Sequence, residues 1–311
     1  NKSVYDSYVN VLRTSTEGFA GVIGGVDSME IDSFDRLYAP QSEFSSRLAR
    51  NQQIILKEEA HFSKVIDPAG GCYYIESLCS ELANKAWEMM QELEAAGGMV
   101  RCLRSGKVHE MIDAIAKERI SAVNKRKNVF VGVNMFANPL EETPSKLEEA
   151  EVDASNAAVK LEHGALPKTR AMEQLETLRT KISSSNVNKK VFMLNMGTID
   201  EYKARTDFAA GFLQVGGYDI ESPAGFNSVD EAVQAAIASN AAAYCLCSTD
   251  DNYVQLVPEM CSKLKGKAFI LAGYPTDLVP TYKEQGVDIF IHLRADVYET
   301  LSQLAAMMEV L

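Results

Sequence analysis

The chain is expected to be an α/β protein whose C-terminal part is a doubly wound parallel sheet. Two observations point there. Five short apolar runs, Lys190–Asn195, Tyr218–Glu221, Ala242–Cys247, Ala268–Ala272 and Asp288–His292, recur at a spacing of about 25 residues, which is the spacing of βαβ units. Each is separated from the next by a stretch of helical period, and the runs are apolar throughout, as strands buried on both faces must be.

In order, the helical stretches are Glu201–Val215, Val229–Ala238, Tyr253–Leu264 and Thr276–Gln285, with a last one at Val297–Met308. Five strands wound in this way predict a flavodoxin-like domain over residues 189–311. In such a sheet, ligands sit at strand–turn–helix junctions on the carboxyl edge. The first junction, Val191–Arg205, carries no histidine, no Gly-rich phosphate cradle and no cysteine. It has the shape of a site without the chemistry of one.

The N-terminal part follows another grammar. Ser77–Ala96 carries Leu78, Leu82, Ala86, Met89 or Met90, and Leu93 on one stripe and stops at Gly97-Gly98. Ser46–Glu59 and Val9–Val22 are two further helical stretches. Val22–Ser28 and Lys64–Asp67 are expected to be short strands, closed by Gly24-Gly25 and by Pro68-Ala69-Gly70-Gly71. Helix, short strand and glycine turn in alternation predict the last units of a (β/α)8 barrel over residues 1–137. Residues 138–188, with Pro139, Pro144, Pro167 and the acids Glu141, Glu142, Glu148, Glu149 and Glu151, form an expected connector with one helix near Lys168–Ser183.

Composition narrows the function classes. The 311 residues allow about two domains, and 46% hydrophobic with 24% charged content is that of a globular protein. A formal charge of −12 repels phosphate backbones and anionic lipid, so neither nucleic acid nor membrane is an expected partner. The six cysteines form no CxxC pair, which suits reduced thiols and a cytoplasmic location. The chain opens at Asn1 on a helical pattern and reads as a piece of a longer protein.

Four blocks carry a specific resemblance: Ile23-Gly24-Gly25-Val26-Asp27-Ser28, Ser46-Arg47-Leu48-Ala49-Arg50-Asn51-Gln52, Ile66-Asp67-Pro68-Ala69-Gly70-Gly71-Cys72-Tyr73 and Val131-Gly132-Val133-Asn134. Their order and spacing resemble the methylmalonyl-CoA mutase family, and Leu256-Val257-Pro258-Glu259 also matches. The resemblance implies an adenosylcobalamin-dependent rearrangement of methylmalonyl-CoA and succinyl-CoA. It also implies a substrate barrel capped by a cobalamin-binding, flavodoxin-like domain. Active chains of the family carry Asp-x-His-x-x-Gly with a lysine just before it. The histidine ligates cobalt, the aspartate orients it, and the glycine admits the nucleotide tail.

Aligned on Met196-Gly197 and Gly211-Phe212, the resemblance puts Asn195 at the lysine, Ile199 at the aspartate, Glu201 at the histidine and Ala204 at the glycine. The Ser-x-Leu contact reads Cys247-Ser248-Thr249, and a Gly-Gly pair reads Gly273-Tyr274. All of these changes remove cobalamin chemistry. By resemblance, the chain is therefore expected to be the C-terminal portion of a non-catalytic small subunit with no cofactor of its own. Its partner would be a catalytic large subunit holding adenosylcobalamin, and the piece alone is expected to self-associate. Two alternatives stay open. One is an atypical but active mutase chain. The other is a receiver-like regulatory domain using Asp200-Glu201, Asp250-Asp251 and Arg294. His292, at a strand end, is the one histidine placed near a ligand, and a satisfied histidine is the plainer reading.

Overall fold

The computed structural model describes residues 2–40, 42–141, 166 and 169–310, and these divide into two compact units. The expected acidic cluster at Glu142–Glu151, with Pro144, Pro167 and Lys168, lies outside the described residues.

In the first unit, residues 1–118 with 144–170, every described regular element is a helix. Helices α1 (Val9–Ile23) and α2 (Glu43–Ile54) are followed by α3 (Tyr73–Ala95), α4 (Met99–Arg104) and α5 (Lys107–Asn124). α2 continues into a single π-helical turn, Ile55–Glu59. Ser42 caps α2, its Oγ accepting from the Ser45 N–H at 3.0 Å while the Ser42 N–H donates to Ser45 Oγ at 3.1 Å. Buried Asn10 on α1 ties together the segments before and after the helix, its Nδ2 donating to the Ser3 and Phe34 carbonyls at 2.7 and 2.9 Å.

The two expected strands of this unit do not form. Val22 and Ile23 are the last turn of α1, and Val26 donates back to the Gly21 carbonyl as the chain leaves the helix. Lys64 closes a short 3₁₀ turn, Phe62–Lys64, Ile66 is 96% exposed, and Asp67 takes a positive φ of 50°. A strand needs a neighbour for its N–H and C=O groups. Among the described residues of this unit there is none. An apolar run at a helix end and an apolar strand look alike over four or five residues, and here local hydrogen bonding decides for the turn.

The second unit, residues 119–143 with 171–311, holds the sheet. Five parallel strands, β1 (Lys190–Asn195), β2 (Asp219–Glu221), β3 (Ala243–Cys247), β4 (Ala268–Ala272) and β5 (Ile289–Ile291), lie in the order β2-β1-β3-β4-β5. This is the order of flavodoxin-like sheets. The helices are α6 (Glu173–Ser184), α7 (Ile199–Gln214), α8 (Val229–Ala238), α9 (Asp250–Lys263), α10 (Val279–Gln285) and α11 (Val297–Met307).

Strand alternation sorts the core into two layers. Val191, Met193, Cys245, Ile270 and Ile289 face α6, α7 and α11, packing on Ile182, Phe212, Leu301 and Leu304. Phe192, Leu194, Leu246, Phe269 and Leu271 face α8, α9 and α10, packing on Ala232, Val257, Met260 and Tyr282. Both faces are covered, which explains why the strands read as unbroken apolar runs. Each fully buried Leu, Ile or Phe contributes about 1.5–3 kcal/mol of transfer free energy. The first layer also takes in Val123, Val133 and Ala137, so the stretch 119–143 helps complete the core of the sheet. Among the described residues no helix is long and apolar enough to cross a membrane.

Candidate functional site at the carboxyl edge of the sheet

β1 connects outward to β2 on one side, whereas β3 connects to β4 on the other. The carboxyl ends of β1 and β3 therefore flank the switch point where doubly wound sheets open a crevice. In this chain hydrogen bonds lace together the turns around that point.

The lacing begins in the backbone. Met196 donates to the Cys247 carbonyl at 2.9 Å, and Ser248 Oγ donates to the Met196 carbonyl at 2.9 Å. The loop after β2 folds along the extension of β1. Phe226 donates to the Asn195 carbonyl at 2.8 Å, and Gly197 donates to the Phe226 carbonyl at 3.0 Å. Asn195, fully buried, latches that loop. Its Nδ2 donates to the Pro223 carbonyl at 2.8 Å and to Ser222 Oγ at 3.2 Å, while its Oδ1 accepts from Thr206 Oγ1 at 2.5 Å.

Glu201 belongs to the first turn of α7. Its carboxylate accepts from the Thr198 N–H at 2.7 Å, from Thr198 Oγ1 at 2.9 Å and from Asn252 Nδ2 at 3.1 Å. The Thr198 backbone bond, then Asn252 and the Thr198 hydroxyl, hold this carboxyl below the usual carboxylate range. Asn252 also donates to Ser248 Oγ at 2.9 Å, so one side chain ties the β1–α7 turn to the β3–α9 turn. Thr249 caps α9 by accepting from the Asn252 N–H at 3.3 Å. Gly197 holds a φ of 93°, and a Cβ there would lie 2.4 Å from Glu201 Oε2, so glycine suits the turn twice over.

The other singled-out positions fall into three groups. Ile199 opens α7 with its side chain 65% exposed, and Ala204 lies exposed on the same helix. Cys247 is sealed in the core with its Sγ 3.9 Å from that of Cys245. Gly273 and Tyr274 lie beyond β4. A Cβ on Gly273 would sit 2.7 Å from Arg205 Nη1, which itself donates to Asp250 Oδ1 at 2.9 Å and to the Ala272 carbonyl at 3.2 Å. The Tyr274 ring lies tilted against the His292 ring, centroids 4.4 Å apart, and meets Phe290 edge-on at 5.7 Å.

Hydrogen bonds thus link Asn195, Glu201 and Thr249 around one crevice, while Ile199 and Ala204 face outward and Tyr274 covers the end of β5. Asp200-Glu201 and Asp250-Asp251 are first-turn residues of two helices. Glu201 is engaged by its own turn and Asp250 by Arg205, while Asp200 and Asp251 are exposed. Among the described residues no group of three His, Cys, Asp or Glu side chains could hold a metal ion.

Beside Asn195, Glu201, Ser248 and Thr249, the lacing uses residues that the sequence did not single out. Thr198-x-x-Glu201 and Thr249-x-x-Asn252 carry helix-start spacing and could have been found that way. The Ser222–Phe226 loop and buried Tyr253, whose hydroxyl donates to the Ala272 carbonyl at 2.7 Å, carry no local signal.

The family model for methylmalonyl-CoA mutase matches residues 1–204. A methylmalonyl-CoA mutase small subunit of Porphyromonas gingivalis is 37% identical over 97% of this chain and 48% of its own length. The small subunit of Propionibacterium freudenreichii subsp. shermanii is 32% identical over 96% of this chain and 46% of its own length. A large subunit, also of Porphyromonas gingivalis, is 37% identical over 46% of this chain and 20% of its own length. The chain thus spans about half the length of the small subunits it matches.

Proposed function

The chain belongs to the methylmalonyl-CoA mutase family, and from that premise we propose that it is part of a small subunit that pairs with a catalytic large subunit and holds no cobalamin itself. In this reading residues 1–137 belong to the substrate barrel, 138–188 are the connector, and 189–311 are a degenerate cobalamin-binding domain. The complex isomerises methylmalonyl-CoA and succinyl-CoA, and the adenosylcobalamin sits on the large subunit.

One observation carries the proposal. Glu201, aligned with the cobalt-ligating histidine, has both carboxylate oxygens taken up by Thr198 and Asn252. The neighbouring positions agree with it. Asn195 is consumed in latching the β2–α8 loop, Ile199 can accept no hydrogen bond, and the methyl of Ala204 replaces a glycine. Tyr274 packs against Phe290 and His292 where a nucleotide tail would need room. The residues present do not fit a base-off cobalamin, and no step of the reaction passes through them. What this chain supplies is a folded surface for the catalytic partner.

Spectral titration with adenosylcobalamin tests the first half, with no base-off spectrum expected from this chain. Co-purification with the large subunit tests the second, with a stable complex expected. Tight cobalamin retention with a base-off spectrum overturns the cofactor reading, and failure to associate overturns the partner reading.

A further inference from the structure

The second unit holds a cavity that the lacing does not touch. It opens at the amino edge of the sheet, the end opposite the crevice, where β3, β4 and β5 begin and α9, α10 and α11 finish. Its volume is about 660 Å³, within the range of small-molecule sites. The floor is apolar, lined by Leu264, Ala268 and Met308, all buried, and by the Cys261 side chain. Gly266 turns the chain at the mouth with a φ of 83°, and a Cβ there would meet nothing within 4 Å, so the backbone leaves the entrance open.

Charges of both signs line this one cavity. Lys265 and Lys267 flank Gly266 on the exposed rim, and neither forms a salt bridge among the described residues. Lys263, at the end of α9, is by contrast held by Asp230 and Glu259, both at 2.7 Å. Half-buried Asp288 accepts the Phe269 N–H on Oδ2 at 2.8 Å. That bond fixes the carboxylate and leaves Oδ1 as a ready acceptor. α9 and α11 also end here, and the partial negative charge of a helix C-terminus favours a cation nearby. Burial first, then Asp288, push the Cys261 thiol up to about 12, so it stays protonated and the cavity is one that binds and does not react.

We propose that this cavity binds a small zwitterion with an apolar body, an apolar amino acid or dipeptide. Its carboxylate meets Lys265 and Lys267, its ammonium meets Asp288, and its apolar side chain lies on Leu264 and Met308. A simple anion would have to approach Asp288, and a simple cation the two lysines. Only a molecule carrying both charges uses every group. The site lies at the far end of the sheet from the crevice and does not depend on whether that crevice holds a cofactor.

The test titrates L-leucine and leucyl-leucine into the full chain, isotope-labelled at the methionine methyls, and follows Met308 by NMR. A saturable Met308 shift is expected with at least one of them, and the tighter of the two shows which length fits. Acetylating the amine of that probe, or amidating its carboxylate, should each weaken binding about tenfold or more, as loss of one charge-assisted contact does. Lys265→Gln with Lys267→Gln, at exposed positions, should weaken it by the same factor. Asp288→Asn keeps an acceptor for the Phe269 N–H, and should weaken the free probe while leaving its acetylated form unchanged. No saturable shift with either probe overturns the site. So does a capped probe that binds as tightly as the free one, or binding unchanged in both variants.

Discussion

Gly225 shows how little freedom the loop after β2 has. A Cβ there would meet Tyr202 Cε1 at 2.4 Å and the Gly197 carbonyl oxygen at 2.7 Å, and its N–H donates to the Tyr202 hydroxyl at 3.1 Å. The ring could swing, but the backbone oxygen cannot move without shifting the turn before α7. Gly225→Ala should therefore destabilise the sheet unit by about 1–3 kcal/mol, as overpacking does, in denaturant melts followed by circular dichroism. A variant as stable as the parent would mean the loop lies looser than described. At this scale the sequence was partly legible. The resemblance singles out Asn195, Ile199, Glu201 and Ala204 by position. What Asn195 and Glu201 bind is not legible there, because Asn195 reaches Pro223 and Glu201 reaches Asn252 across loops distant in sequence.

Between elements, Tyr253 is the tie. From the first turn of α9 its buried hydroxyl donates to the Ala272 carbonyl at the end of β4 and accepts the Ser248 N–H at the end of β3 at 3.1 Å. Tyr253→Phe keeps the ring that packs in the core and removes both bonds, leaving a buried N–H unpaired. The cost should be about 1–3 kcal/mol, read as a lower urea midpoint with an unchanged m-value. No loss of stability would show that water or a shifted backbone satisfies Ser248. Legibility of the elements follows burial. β1 and β4 were read at their observed ends, and α8 likewise, since both sheet faces are covered and the pattern has no gaps. α5 was not among the expected helices although Val108, Met111, Ile112 and Ile115 recur at helical spacing; only Val123 and Asn124 of its 18 residues are buried. The strands expected at Val22–Ser28 and Lys64–Asp67 failed because apolar content without a pairing neighbour does not make a strand.

Taken as a whole chain, apolar surface is unevenly distributed. α3 runs for 23 residues and buries only Leu93, while Tyr73, Tyr74, Leu78, Leu82, Met89 and Met90 stay exposed. Single exposed hydrophobics are ordinary, but a stripe along one helix is a candidate surface for contact with other protein. A net charge of −12 opposes contact between copies at low salt, so association should strengthen as salt screens the repulsion. Trp87, the only tryptophan in the sequence, is 59% exposed on this same helix and reports on it without labelling. Raising the concentration of the chain at moderate salt should produce faster-sedimenting species and shift the Trp87 emission to the blue. Leu78→Glu with Leu82→Glu should abolish both while leaving the far-ultraviolet circular dichroism unchanged. A chain that stays monomeric across the range, with Trp87 emission fixed, would show that the stripe needs no cover. If the catalytic large subunit covers it, adding that subunit should reproduce the blue shift at concentrations where the chain alone gives none.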